Sequence, residues 1–222
     1  MSRSIVRQLI LKDLFLLRWI SLGALAGGVV AAGLMSLSPM PIHGGGVLVI
    51  CALIVLNIFL VMHGVTQERK DKVALFVLSL PISPVQYAMA KVVANVIAFT
   101  VPWAILSAAV ALAIDVSQVP NGFLPLWTAL LAYFFFYYCV LLGVGLNTDA
   151  TGWHVAVIIT GNISVNFFIG LLFSLPSVRA HGEGSVAVWT ADIAGLVAAS
   201  IAGGIVALAI AIYAHSRRTE FV

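Results

Sequence analysis

The sequence predicts an all-α, polytopic membrane protein with six transmembrane helices, and three observations predict it. Of 222 residues, 62% are hydrophobic and only 9% are charged, with a mean hydropathy of +1.14. A soluble domain of this length needs a polar surface, which eleven Lys+Arg and eight Asp+Glu cannot supply. The apolar residues come in continuous runs of about 20, the length that crosses a bilayer as a helix. Strands of a transmembrane barrel would alternate instead, and in hydrocarbon a helix satisfies its own backbone.

The chain reads as one transmembrane domain over 1–222, with spans expected at roughly 19–37, 47–65, 90–114, 123–146, 153–175 and 189–214. Loops rich in Pro, Gly and Asn punctuate them at Ser38–Gly46, Asp115–Gly122, Asn147–Gly152 and Ser174–Ser185. Before the first span, residues 1–18 read as an interfacial helix. Arg3, Ser4, Arg7, Gln8 and Lys12 fall on one side, Ile5, Val6, Leu9 and Ile10 on the other, with Leu11 and Asp13 on the wrong faces. Arg3 and Arg7 ahead of an apolar stretch resemble a signal peptide, but Lys12, Asp13 and Arg18 interrupt it. Gly23 and Gly27 form GxxxG in the first span, with Ala24, Gly28 and Ala32 extending a small-residue face. Gly195, Ala199 and Gly203 do the same in the last span, and both faces are expected to pack helices inside the chain, with a subunit interface as the alternative. Cys51 and Cys139 lie in apolar runs and read as two buried thiols.

Charge fixes the orientation. Arg3, Arg7, Lys12, Arg18, Arg69, Lys70, Lys72, Lys91, Arg217 and Arg218 fall on one side of the six spans, against Arg179 alone on the other. By the positive-inside rule both termini and the 66–84 segment are expected in the cytoplasm, the chain lying in the plasma (inner) membrane.

The densest charge sits in that segment. Glu68 and Lys72 stand at helical i, i+4 spacing. An apolar stretch containing Leu75, Phe76 and Leu78 follows, and Pro81 ends it. Ser83 then suits an N-cap, Pro84 the first helical position and Gln86 a capping box, so a new helix is expected from Pro84 through Lys91 into the membrane. A short cytoplasmic helix with an apolar end lies in the membrane interface or docks into a protein partner.

Glu68, the phrase "VLSLP" from Val77 to Pro81, Ser83 and Lys91, spaced as they are, resemble the membrane subunit of ABC transporters of the ABC-2 type. The chain departs from that pattern at Arg69–Lys72, where the family often has small residues. The resemblance implies that the segment between helices 2 and 3 is a coupling helix seated in a groove of an ATP-binding subunit. Glu68, Arg69, Lys72, Leu75, Phe76, Leu78, Pro81 and Ser83 would make that joint. It further implies an exporter with two ATP-binding cassette subunits and a second membrane subunit, identical or similar to this one. ATP and Mg would then be held by the partner chain.

The residues agree on what is missing. No GxxxxGK[ST] occurs, so this chain carries no phosphate-cradling loop and no cofactor of its own is expected. The modest net charge of +3 does not suggest a nucleic-acid partner. Polar residues at membrane depth are the remaining candidates: Asn57 in the second span, Tyr133 and Tyr137 in the fourth, Asn162 and Asn166 in the fifth. They line a substrate path or bond between helices. Two other classes stay open. A secondary carrier or channel would place ionisable groups deep in the spans, yet Asp115, Asp149, Glu183 and Asp192 fall at loops. A membrane-embedded enzyme such as a rhomboid-like protease needs GxSG and a His on another helix; "GNIS" at Gly161–Ser164 is not that motif. No catalytic or metal-binding residue is assigned.

Overall fold

The computed structural model describes residues 2–37, 45–66, 84–117, 119–148 and 150–217. Among them every long element is helical: α1 (Ser2–Met35), α2 (Gly45–Val61), a π turn (Met62–Thr66), α3 (Pro84–Val116), α4 (Phe123–Asn147), α5 (Thr151–Ser174), the short α6 (Pro176–His181) and α7 (Ala191–Ser216). Six helices are long and apolar enough to cross a membrane, and each falls on one of the six expected spans. The side of the bundle that carries the N-terminus, the π turn and the start of α3 is called the near side below.

α1 and α3 run past the expected boundaries. α1 is one unbroken helix of 34 residues, so no separate interfacial helix stands apart from the first span. The reason lies in Asp13, the residue on the wrong face of that expected helix. It shares a stripe with Leu17, and both are buried against the bundle, so one face of the helix packs across the expected boundary. At about 1.5 Å per residue, 34 residues give roughly 50 Å, well beyond the ~30 Å hydrocarbon core. Arg18 lies where α1 enters the apolar layer, its guanidinium 3.6 Å from the Phe15 ring centroid and 5.1 Å from that of Trp19. Such a cation between aromatic rings suits a membrane interface.

α4 is the centre. Trp127, Phe134 and Tyr138 are among its fully buried side chains, and it packs most extensively against α7. α1 packs on α3 and α2, while α5 leans chiefly on α4. The outward faces are apolar: Trp19, Val30, Phe167, Ile205 and Ile210 are all more than half exposed. A bundle whose outside is as apolar as its inside is built for lipid.

Close approach uses only part of the two expected small-residue faces, and one glycine outside them. Gly23, Gly27 and Gly195 have no atom within 4 Å of a Cβ built on them, so the Gly23–Gly27 pair of α1 does not pack inside the chain. Gly28 of the α1 face packs on Leu106 and Gly203 of the α7 face on the Phe136 ring, and at Gly161, outside both faces, a Cβ would stand 2.0 Å from the Tyr137 ring. Cys139 is buried, whereas Cys51 is exposed on the outer side of α2, so only one of the two thiols lies in the core.

Candidate functional site

Two polar constellations stand out inside the bundle. The first is at the near side, where α1, α2, α3 and α4 meet. Asp13 of α1 and Lys91 of α3 are both buried, with Nζ 2.8 Å from Oδ2. Lys91 Nζ also donates to the carbonyl of Gly64 in the π turn, at 3.2 Å. One turn further along α3, Asn95 Nδ2 donates to the Lys91 carbonyl at 3.0 Å, and the Tyr138 hydroxyl of α4 donates to the Asn95 carbonyl at 2.8 Å. The Tyr138 ring lies flat on Phe99, centroids 4.1 Å apart. Gly64 is a glycine because α2 and α3 touch here: a Cβ would come 2.4 Å from Asn95 Oδ1.

A buried ion pair costs desolvation that its own attraction barely offsets, so its value is in geometry more than in stability. This one joins three elements at a point. The 67–83 segment begins directly after the π turn and ends directly before α3. Both of its roots therefore belong to one polar joint, with α1 as the third member.

The second constellation lies between α4 and α5. The Tyr133 hydroxyl donates to Ser164 Oγ at 2.5 Å, and its ring stacks on Phe168 with centroids 4.2 Å apart. The Tyr137 hydroxyl donates to the Ile158 carbonyl at 3.3 Å, while its ring lies over Gly161. Both tyrosines thus make interhelical contacts. Asn162 Nδ2 donates back to the Ile158 carbonyl at 2.9 Å and Asn166 Nδ2 to the Asn162 carbonyl at 3.0 Å. Asn162 is half-buried; Asn166 is exposed and lines an open groove of about 560 Å³ with Ile163, Phe167, Gly170, Leu171 and Ser174.

Asn57 is apart from both groups. It is wholly buried in α2, and neither its amide nitrogen nor its oxygen has a hydrogen-bond partner. Of the other sequence candidates, Glu68, Arg69, Lys72, Leu75, Phe76, Leu78, Pro81 and Ser83 lie outside the described residues. Among the described residues, no group of three or more His, Cys, Asp or Glu is placed to hold a metal ion.

Sequence reasoning missed Asp13, Gly64, Asn95 and Tyr138 as members of one joint. Asp13 carried a signal, being the acid on the apolar side of a basic helix. Lys91 was marked by its place in the ABC-2-like pattern, but nothing local shows that the two meet. No family model, curated protein or solved structure matches this chain.

Proposed function

We propose that this chain is the membrane subunit of an ATP-driven exporter in the plasma membrane. It pairs with a second such subunit to form the translocation path, and two separate ATP-binding subunits power it from the cytoplasm. The observation that carries this reading is the 66–84 segment. Its Glu68, "VLSLP", Ser83 and Lys91 follow the ABC-2 pattern, and Lys91 is the residue that ties the segment's two roots to α1 through Gly64 and Asp13. A displacement of the segment by a partner would reach α1, α2 and α3 together.

Within that reading, charge on Glu68, Arg69 and Lys72 keeps the segment in water and pairs with the partner. Leu75, Phe76 and Leu78 supply the buried anchor area, and Phe76 carries most of it. Pro81 and Ser83 set the angle at which α3 begins. The open groove beside Asn166 would face the second membrane subunit, because an exposed amide at membrane depth is costly against lipid. ATP and Mg bind in the partner, where hydrolysis occurs.

The test is recovery of a partner with the tagged chain from its native membrane, followed by identification of a polypeptide carrying a GxxxxGK[ST] loop. Phe76→Ala is expected to weaken that association about 5- to 150-fold, which is ~1–3 kcal/mol at a hot spot. Glu68→Ala is expected to lower ATP-dependent transport while the membrane domain stays folded. Recovery of no such polypeptide, or full retention and full transport by both variants, removes the reading in favour of a carrier or channel.

A further inference from the structure

Helix α3 contains Pro102, which has no amide hydrogen to give. The carbonyl of Ala98, four residues earlier, therefore has no donor within its own helix. A donor comes from α1: Ser21 Oγ lies 3.1 Å from the Ala98 oxygen. The third helix packed at this seam is α2, and it brings Asn57, buried and without a partner on either polar atom.

Helix geometry puts these groups at one depth. Gly64, in the π turn that ends α2, and Asn95 of α3 touch, and the two helices run in opposite directions. Asn57 lies seven residues from Gly64, and Pro102 lies seven residues from Asn95 in the same sense across the membrane. Seven residues rise about 10 Å, and on an unbroken α-helix they return to nearly the same face, a register that the π turn between Asn57 and Gly64 shifts. Asn57 therefore stands at the level of the Ala98–Pro102 gap, turned by the intervening π turn off the side that Gly64 presents to α3.

We propose that the proline-freed carbonyl of Ala98 is a shared acceptor with two alternative donors. Ser21 on α1 holds it in this structure; Asn57 on α2 takes it in a second arrangement of the same helices. The orphaned amide of Asn57 is then the mark of an exchange caught on one side. A buried amide with no partner in hydrocarbon is costly, and a second state that satisfies it explains why it is there. The π turn at the foot of α2 supplies the freedom. It holds one more residue per turn than an α-helix, and relaxing it turns the body of α2 against a foot that Lys91 and Asn95 keep in place. The result is a two-state element in which α3 is held either by α1 or by α2.

The test is thermal unfolding of the purified full chain in detergent micelles, and it requires neither a partner nor a cargo. Its failure would leave the exporter reading standing, and failure of the exporter reading would leave the exchange standing. Asn57→Leu removes an orphaned amide and is expected to raise Tm by about 2–4 °C. In a Ser21→Ala background Asn57 is the remaining donor, so Asn57→Leu is expected to lower Tm by a similar amount. Ser21→Cys, a weaker donor of similar shape, falls between. Pro102→Ala restores the amide hydrogen that closes the Ala98 carbonyl within α3, and there Asn57→Leu raises Tm whatever stands at 21. A shift of the same sign with Ser21 and with Ala at 21, or a fall in Tm for Asn57→Leu alone, overturns the proposal, because independent sites simply add.

Discussion

Lys91 shows what a single residue does here. Its ammonium is buried among apolar helices, with the Asp13 carboxylate 2.8 Å away to balance its charge. Removing the carboxylate leaves an uncompensated buried cation, so Asp13→Ala is expected to cost about 3–5 kcal/mol in denaturant unfolding of the purified chain. Replacing both charges together, Asp13→Leu with Lys91→Met, is expected to cost far less, since a fitted apolar pair avoids the desolvation. A double variant as unstable as the sum of the two single ones would show that the residues do not act as a unit. The pair was half legible. Lys91 belongs to the ABC-2-like spacing that includes Glu68 and Ser83. Asp13, read against a surface helix, had no place on either face. Its partner lies two membrane helices further along the chain, and a contact of that range leaves no local periodicity to read.

At the scale of elements, the spans could be read directly because length and composition alone force them. A continuous apolar run between Pro- and Gly-rich loops has no other stable form in lipid. Which face of a span packs is another matter, since every face is apolar. The GxxxG of Gly23 and Gly27 was expected to face a neighbouring helix, yet it is open within the chain. Gly161, part of no such motif, is where α5 comes against the Tyr137 ring of α4. Gly161→Ala is therefore expected to destabilise by about 1–3 kcal/mol through overpacking, or roughly 2–12 °C in Tm. Gly170→Ala on the same helix, where a Cβ meets nothing within 4 Å, is expected to stay within about 0.5 kcal/mol of wild type. Equal effects at the two positions would mean that helix propensity, not the Tyr137 contact, decides the outcome.

For the whole molecule, an even number of spans places the N-terminus, the 66–84 segment and the C-terminus on one side. The charge asymmetry predicts that this side is the cytoplasm, and the architecture says where that can be probed. The obvious loop glycines are poor sites for a reporter cysteine. A Cβ at Gly45 would stand 2.1 Å from the Met35 backbone, and one at Gly122 would stand 2.0 Å from the His181 carbonyl. Leu37, 80% exposed, and Ser185, exposed in the turn before α7, have room on the far side. Ser216, exposed at the end of α7, and Asp71 in the charged segment report on the near side. With Cys51 and Cys139 replaced by Ala, Leu37→Cys and Ser185→Cys are expected to react with a membrane-impermeant maleimide added to intact cells. Asp71→Cys and Ser216→Cys are expected to react only after the membrane is opened. Ten of the eleven Lys and Arg residues would then stand in the cytoplasm, where the attraction of anionic lipid and the membrane potential both favour them. Labelling of Asp71→Cys from outside would invert the molecule, and an ATP-binding partner could not reach the segment at all. This one measurement therefore bears on the exporter reading before any partner is known.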